Sequence, residues 1–171
     1  MTSASDIANR VPITISLMLA TVMNSLDTTI ANVALPHIQG DVSASADQIN
    51  WVLTSYIVAA AIMTPPSGFL SAKFGRKRVL LVAIAGFVVA SVLCGLSESL
   101  NQIVGFRLLQ GLFGAALVPL SQGILLDIYN VEERGRAMAL FGVSVMVGPV
   151  LGPYVEARGR LLRRGRTTLP P

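Results

Sequence analysis

Residues 13–35 read ITISLMLATVMNSLDTTIANVAL, and this stretch carries a single charge, Asp27. A helix crossing the hydrocarbon core of a bilayer needs about 20 mostly apolar residues, because each residue advances only ~1.5 Å. The stretch is long enough, and four more follow it. Spans are placed at about 13–35, 51–70, 79–97, 103–126 and 137–155; Trp51–Leu70 holds no charge, and Arg107 stands just before the uncharged run from Leu108. Helices are required here because an open sheet would leave backbone groups unpaired in lipid. Barrel strands would be half this length and alternating. Residues 13–35 do not read as a cleavable leader, being too long, charged at Asp27 and without a small-residue cleavage site after them.

Composition agrees. Hydrophobic residues make up 53% of the chain and charged ones only 13%, against about 25% charged in a typical soluble domain. Mean hydropathy is +0.66. The net charge of +4 does not point to nucleic acid, because it is clustered: four cations at Lys73, Arg76, Lys77 and Arg78, and five between Arg158 and Arg166. Cys94 lies inside an apolar run, and His37 has no neighbouring ligand type, so neither a disulfide framework nor a metal site is expected. No nucleophile–base pair or phosphate loop suggests an enzyme, and no cofactor is implied.

The connections at 37–48 and 98–102 contain no Lys or Arg. The 71–78 connection has four, and 127–136 has Arg134 and Arg136. The positive-inside rule then places the N-terminus (residues 1–12) and both basic connections in the cytoplasm. The tail arginines would lie on the opposite side.

Polar groups inside the spans mark where function is sought. At about 100° per residue, Thr21, Asn24, Ser25, Thr28 and Asn32 fall in one stripe, with Asp27 beside it. This stripe lines an aqueous path or packs on another polar helix. Thr21 and Ser25 read as ordinary hydroxyls bonding nearby carbonyls. Asp27 reads as functional, since a carboxylate has no cheap structural role at that depth. In the fourth span Arg107, Gln110, Gly111, Gly114, Val118, Ser121 and Gln122 share a face. Arg107 could snorkel to the interface, but the glutamines continue the polar line too deep for that. In the fifth, Gly142, Met146, Pro149 and Pro153 share a face, and Gly148 with Gly152 forms a small-xxx-small pair. A packing kink and a hinge between bundles are both open readings there.

These residues resemble the major facilitator superfamily, and within it the drug:proton antiporter branch with fourteen spans. Leu26-Asp27-Thr28-Thr29-Ile30-Ala31-Asn32-Val33-Ala34-Leu35-Pro36 resembles that branch's first-helix signature. Gly68 through Lys73, Gly75, Arg76, Lys77 and Arg78 resembles the loop between helices two and three. Arg107-Leu108-Leu109-Gln110-Gly111-Leu112-Phe113-Gly114 resembles the fourth-helix motif, and Gly142 through Gly148-Pro149-Val150-Leu151-Gly152-Pro153 resembles the antiporter motif of the fifth.

The resemblance implies an all-α membrane protein, an incomplete N-terminal six-helix bundle with about five spanning helices. It also implies alternating access around a midplane cavity. Asp27, Asn32, Arg107 and Gln110 would line the proton and substrate pathway; Gly68, Gly75, Arg76 and Lys77 would form a gating loop; and Gly142, Gly148, Pro149 and Gly152 the antiporter motif. Small amphipathic or drug-like substrates, protons, the lipid bilayer and a membrane-fusion protein are the implied partners, and the cell inner (plasma) membrane the location. Two departures stand out. Ala72 takes a place where many members carry an acid. After Pro153 the apolar text gives way to Arg, Gly and Pro. Residues 13–155 are therefore expected to form a partial bundle and 156–171 a tail foreign to the family, read in a shifted frame in a truncated product. Three readings follow: multidrug:proton antiport, a same-fold transporter of narrower substrate, or a non-transporting membrane fragment.

Overall fold

The computed structural model describes the backbone of residues 4–41 and 46–167, and the surroundings of side chains 10–31 and 49–150. The described backbone is helical almost throughout: α1 Ala4–Asp41, α2 Ala46–Phe74, α3 Arg76–Gly95, α4 Leu100–Gly114, α5 Leu117–Ile128 and α6 Val131–Thr167. Four segments among the described residues are long and apolar enough to cross a membrane: Arg10–Ala31, Ile49–Phe74, Arg76–Gly95, and Leu100–Ile128, which holds α4 and α5 together. The expected fifth span, 137–155, lies on α6 and runs past residue 150, outside the described side chains.

Two sequence expectations need correction. The fourth span is not one helix. Pro119 has no N–H to give the Ala115 carbonyl, and its ring crowds that carbonyl, so the helix breaks at Ala115–Ala116. The bonds Ala115 N–H to Gly111 O (3.0 Å) and Leu120 N–H to Ala116 O (3.1 Å) bracket the break. The second span, expected to end near Pro65-Pro66 by residue 70, instead continues through both prolines to Phe74. Hydroxyls of Thr64 and Ser67 bond the carbonyls of Ala60 and Thr64 beside them, 2.7 Å each.

The expected basic loop is also shorter than the 71–78 connection suggested. One residue, Gly75, joins α2 to α3 with φ at +90°, in the region that favours glycine. A β-carbon there would meet open space, so conformation and not crowding fixes the residue.

Packing follows a simple pattern. The most extensive pairings are α2 on α4, α1 on α6 and α3 on α4. A core of Leu17, Leu80, Phe87, Leu117, Leu125 and Phe141 fills the centre. Outward, α2 and α3 present Ile57, Ile62, Phe69, Val82, Val89 and Val92, all exposed. So large an apolar exterior would be a liability in water. In lipid it is the expected solvent-facing surface, and the chain is a multi-pass membrane protein.

Candidate functional site

The first helix carries most of the polar contacts between helices. Asp27 uses both carboxylate oxygens: Arg107 Nη1 donates to Oδ2 at 2.7 Å, and Gln110 Nε2 donates to Oδ1 at 2.7 Å. The Arg107 and Asp27 side chains are 11% and 15% exposed, and Gln110 is fully buried. Arg107 therefore turns inward to a carboxylate instead of snorkelling. The remaining Gln110 oxygen accepts from the Cys94 thiol at 3.7 Å. Charge-assisted hydrogen bonds of this kind are about twice as strong as neutral ones. Removing one partner of a buried ion pair strands the other charge, a loss of ~3–5 kcal/mol.

About one turn away sits a neutral cluster. Tyr56 Oη donates to Asn24 Oδ1 at 2.9 Å, and Asn24 Nδ2 donates to the Gly114 carbonyl at 3.3 Å. That carbonyl lies at the end of α4, where the break removes its helical partner. Gly111 and Gly114 let Tyr56 come this close: a β-carbon at 111 would stand 2.4 Å from the Tyr56 carbonyl oxygen, and one at 114 would stand 2.9 Å from the Tyr56 hydroxyl.

On its other side α1 meets α6. Ser25 Oγ donates to the Val145 carbonyl at 2.7 Å. Val145 is four residues before Pro149, so the hydroxyl satisfies the carbonyl that the proline leaves unpaired. Gly148 is needed for this approach, since a β-carbon there would fall 2.3 Å from Ser25 Oγ. Thr21, by contrast, bonds Leu17 O within its own helix at 2.9 Å. Within the polar stripe, Asn24 and Ser25 bond neighbouring helices, whereas Thr21 and Thr28 bond carbonyls of α1 itself.

The other expected site residues distribute as follows. Arg76 is held beside the α2–α3 turn by Asp127 and by the Gly123 carbonyl, 3.0 Å away. Gly68 and Lys77 are exposed. Gly142 and Pro149 face outward, with Met146 on the same exposed side, while Gly148 is buried. The surroundings of Asn32 and Gly152 lie outside the described residues. The sequence reading passed over Tyr56 and Asp127, and it took Cys94 for an ordinary member of an apolar run. Asp127 had a usable signal: an acid closing an apolar span on the side where the basic connections gather.

A bundle of apolar helices tied by a buried ion pair defines a polytopic membrane protein. The chain belongs to the Major Facilitator Superfamily, whose sequence model matches residues 17–157. It is 47% identical to the multidrug export protein EmrB of Haemophilus influenzae over 143 residues, covering 84% of this chain and 28% of that protein. It is 48% identical to the fatty acid resistance protein FarB of Neisseria gonorrhoeae, with the same coverage. Against EmrB of Escherichia coli K12 it is 44% identical over 148 residues, covering 86% of this chain and 29% of that protein. The chain thus spans under a third of the length of these curated relatives. The fold matches the crystal structure of a bacterial homologue of the human lysosomal transporter Spinster, in an inward-facing, unoccupied conformation, with TM-score 0.77 and 23% identity. That match covers 88% of this chain and 31% of the structure.

Proposed function

We propose that this chain is the N-terminal part of a multidrug efflux transporter driven by proton antiport, set in the inner membrane with its N-terminus in the cytoplasm. The observation that carries the reading is the Asp27–Arg107–Gln110 knot inside the span region. Asp27 is the residue there that can take up and release a proton while Arg107 stays charged. A protonated Asp27 loses its charge attraction to Arg107, so proton occupancy changes how firmly α1 holds α4. A substrate that competes for either partner is coupled to the proton through the same bond. The names of the multidrug export relatives support drug-like substrates. By the same family reading, a membrane-fusion protein would receive the substrate.

The experiment uses a full-length relative in an efflux-deficient host, with Asp27→Asn at the matching position and ethidium efflux measured against external pH. Efflux is expected to fall at least about tenfold, the equivalent of one lost charge-assisted bond of ~1.5 kcal/mol, and to lose its pH response. Unchanged efflux and proton release would remove Asp27 from the mechanism.

Two observations favour other readings. The chain covers only 28% of its relatives' length, which favours a fragment that does not transport by itself. Expressing these 171 residues alone decides this, since dye efflux from them would contradict the fragment reading. The fatty acid resistance relative favours a narrower substrate, which a competition assay with long-chain fatty acids would reveal.

A further inference from the structure

We propose that Asn24 and Tyr56 are positioning residues that fix the register and rotation of α1 against the broken fourth span, so that Asp27 meets Arg107 and Gln110. The proposal rests on reading the Asp27–Arg107 pair as the working pair, and adds what holds it in place.

The two clusters share one antiparallel register. Asp27 reaches positions 107 and 110 on α4, and Asn24 reaches 114. Three residues on α1 and four on α4 amount to advances of about 4.5 and 6 Å, so a slip of one residue on either helix would break both contacts together. A rotation would do the same, because Asn24 and Asp27 lie only ~60° apart around α1.

The neutral cluster has the properties of a fixed seat. Asn24 is 8% exposed, and both ends of its amide are engaged, one by a side chain of α2 and one by a main-chain carbonyl of α4. None of these groups changes charge over the physiological range, so the seat persists whether or not Asp27 carries a proton. It is also placed at a carbonyl that the break beside Pro119 leaves available. An unbroken fourth helix would spend the Gly114 carbonyl on Val118 N–H, and Asn24 would have nothing to hold. Tyr56 completes the seat from the far side, lying in the groove that Gly111 and Gly114 leave open. The adjacent Ser25 holds α1 to α6 in the same turn, so consecutive residues of α1 secure the irregular points of two neighbouring spans.

Cys94, the chain's single cysteine, gives a native reporter, because its thiol bonds the Gln110 that Asp27 holds. The test is the rate of Cys94 alkylation by N-ethylmaleimide, with the 171-residue chain in bacterial membranes. Asn24→Leu and Tyr56→Phe are each expected to raise the rate about three- to tenfold, in the range of contacts within one network. In an Asp27→Ala background, Asn24→Leu should add less than about twofold, since there is no longer a carboxylate to position. Equal effects with and without Asp27 would assign Asn24 to packing alone and overturn the proposal, as would unchanged rates in both single variants. Tyr56→Phe keeps the ring in its groove and so answers the question even if Asn24→Leu fails to insert. Labelling requires no transport, so a chain without efflux activity still tests the positioning role.

Discussion

Glycines inside the helices are of two kinds, told apart by the space around them. At Gly111 and Gly148 a β-carbon would land 2.4 and 2.3 Å from atoms of the facing helix, much of it backbone that cannot step aside; at Gly142 it would meet nothing within 4 Å. Gly111→Ala and Gly148→Ala are therefore expected to cost ~1–3 kcal/mol each through overpacking. Thermal midpoints in detergent should fall by about 2–4 °C per kcal/mol. Gly142→Ala should be neutral or gain up to ~1 kcal/mol of helix propensity, and a loss there equal to that at Gly148 would sink the distinction. The ion pairs divide similarly. Arg107→Ala strands the Asp27 carboxylate in a buried site at ~3–5 kcal/mol. Arg76→Ala breaks a pair whose side chains are 47% and 59% exposed, worth ~0–1 kcal/mol and fading with salt. Paired denaturation curves in low and high salt check both. In the sequence, Asp27, Arg107 and Gln110 were legible as candidates because charge and amide groups are rare in apolar runs. Their joining was not legible, because it depends on helix register. Tyr56 gave no warning at all, being an ordinary residue in a span until the Gly111–Gly114 groove admits it.

At the scale of elements, the prolines decide where helices bend, and sequence alone does not say which ones will. Pro65 and Pro66 leave α2 unbroken, whereas Pro119 divides the fourth span. The surroundings differ. Hydroxyls of Thr64 and Ser67 add bonds to carbonyls flanking the prolines of α2, and Ser25 reaches from another helix to the carbonyl that Pro149 frees. At the fourth span the chain opens, and Asn24 takes the Gly114 carbonyl. Pro119→Ala is thus expected to restore the Ala115 bond, join α4 to α5 and lengthen the span. Spin labels at Leu108 and Leu126, both on the exposed surface, should move apart and show a narrower distance distribution. An unchanged distance would mean that the break is imposed by packing and not by the proline. The spans' existence was readable from apolar length, since lipid demands it. The break and the single-residue turn at Gly75 were not, since both depend on main-chain conformation that composition does not reveal.

The whole molecule shows a repeated pairing that says where its bundle is open. Number the spans by order, with α4 and α5 as the fourth and α6 as the fifth. The second then packs on the fourth and the fifth on the first, the two most extensive pairings observed. These exchange under a relation that swaps the first three spans with the next three, as inverted repeats require. The same relation turns the pairing of third on fourth into sixth on first. A cleft of about 490 Å³ lies at that place, between α1 and α3, walled by apolar side chains such as Leu19, Val22, Leu26, Val88 and Val92, with Asp27 at its edge. A sixth apolar helix laid there would bury this wall and shield the Asp27–Arg107 pair from lipid. In a full-length relative, cysteines at the positions of Val22 and Val92 are expected to cross-link to a helix following the matched stretch, which here ends at residue 157. Both positions should also be protected from hydrophobic maleimides there, yet labelled in the 171-residue chain. Equal labelling in the two proteins would show that lipid, not a helix, fills the cleft, and the repeat relation would then fail at the position where it matters most for the ion pair.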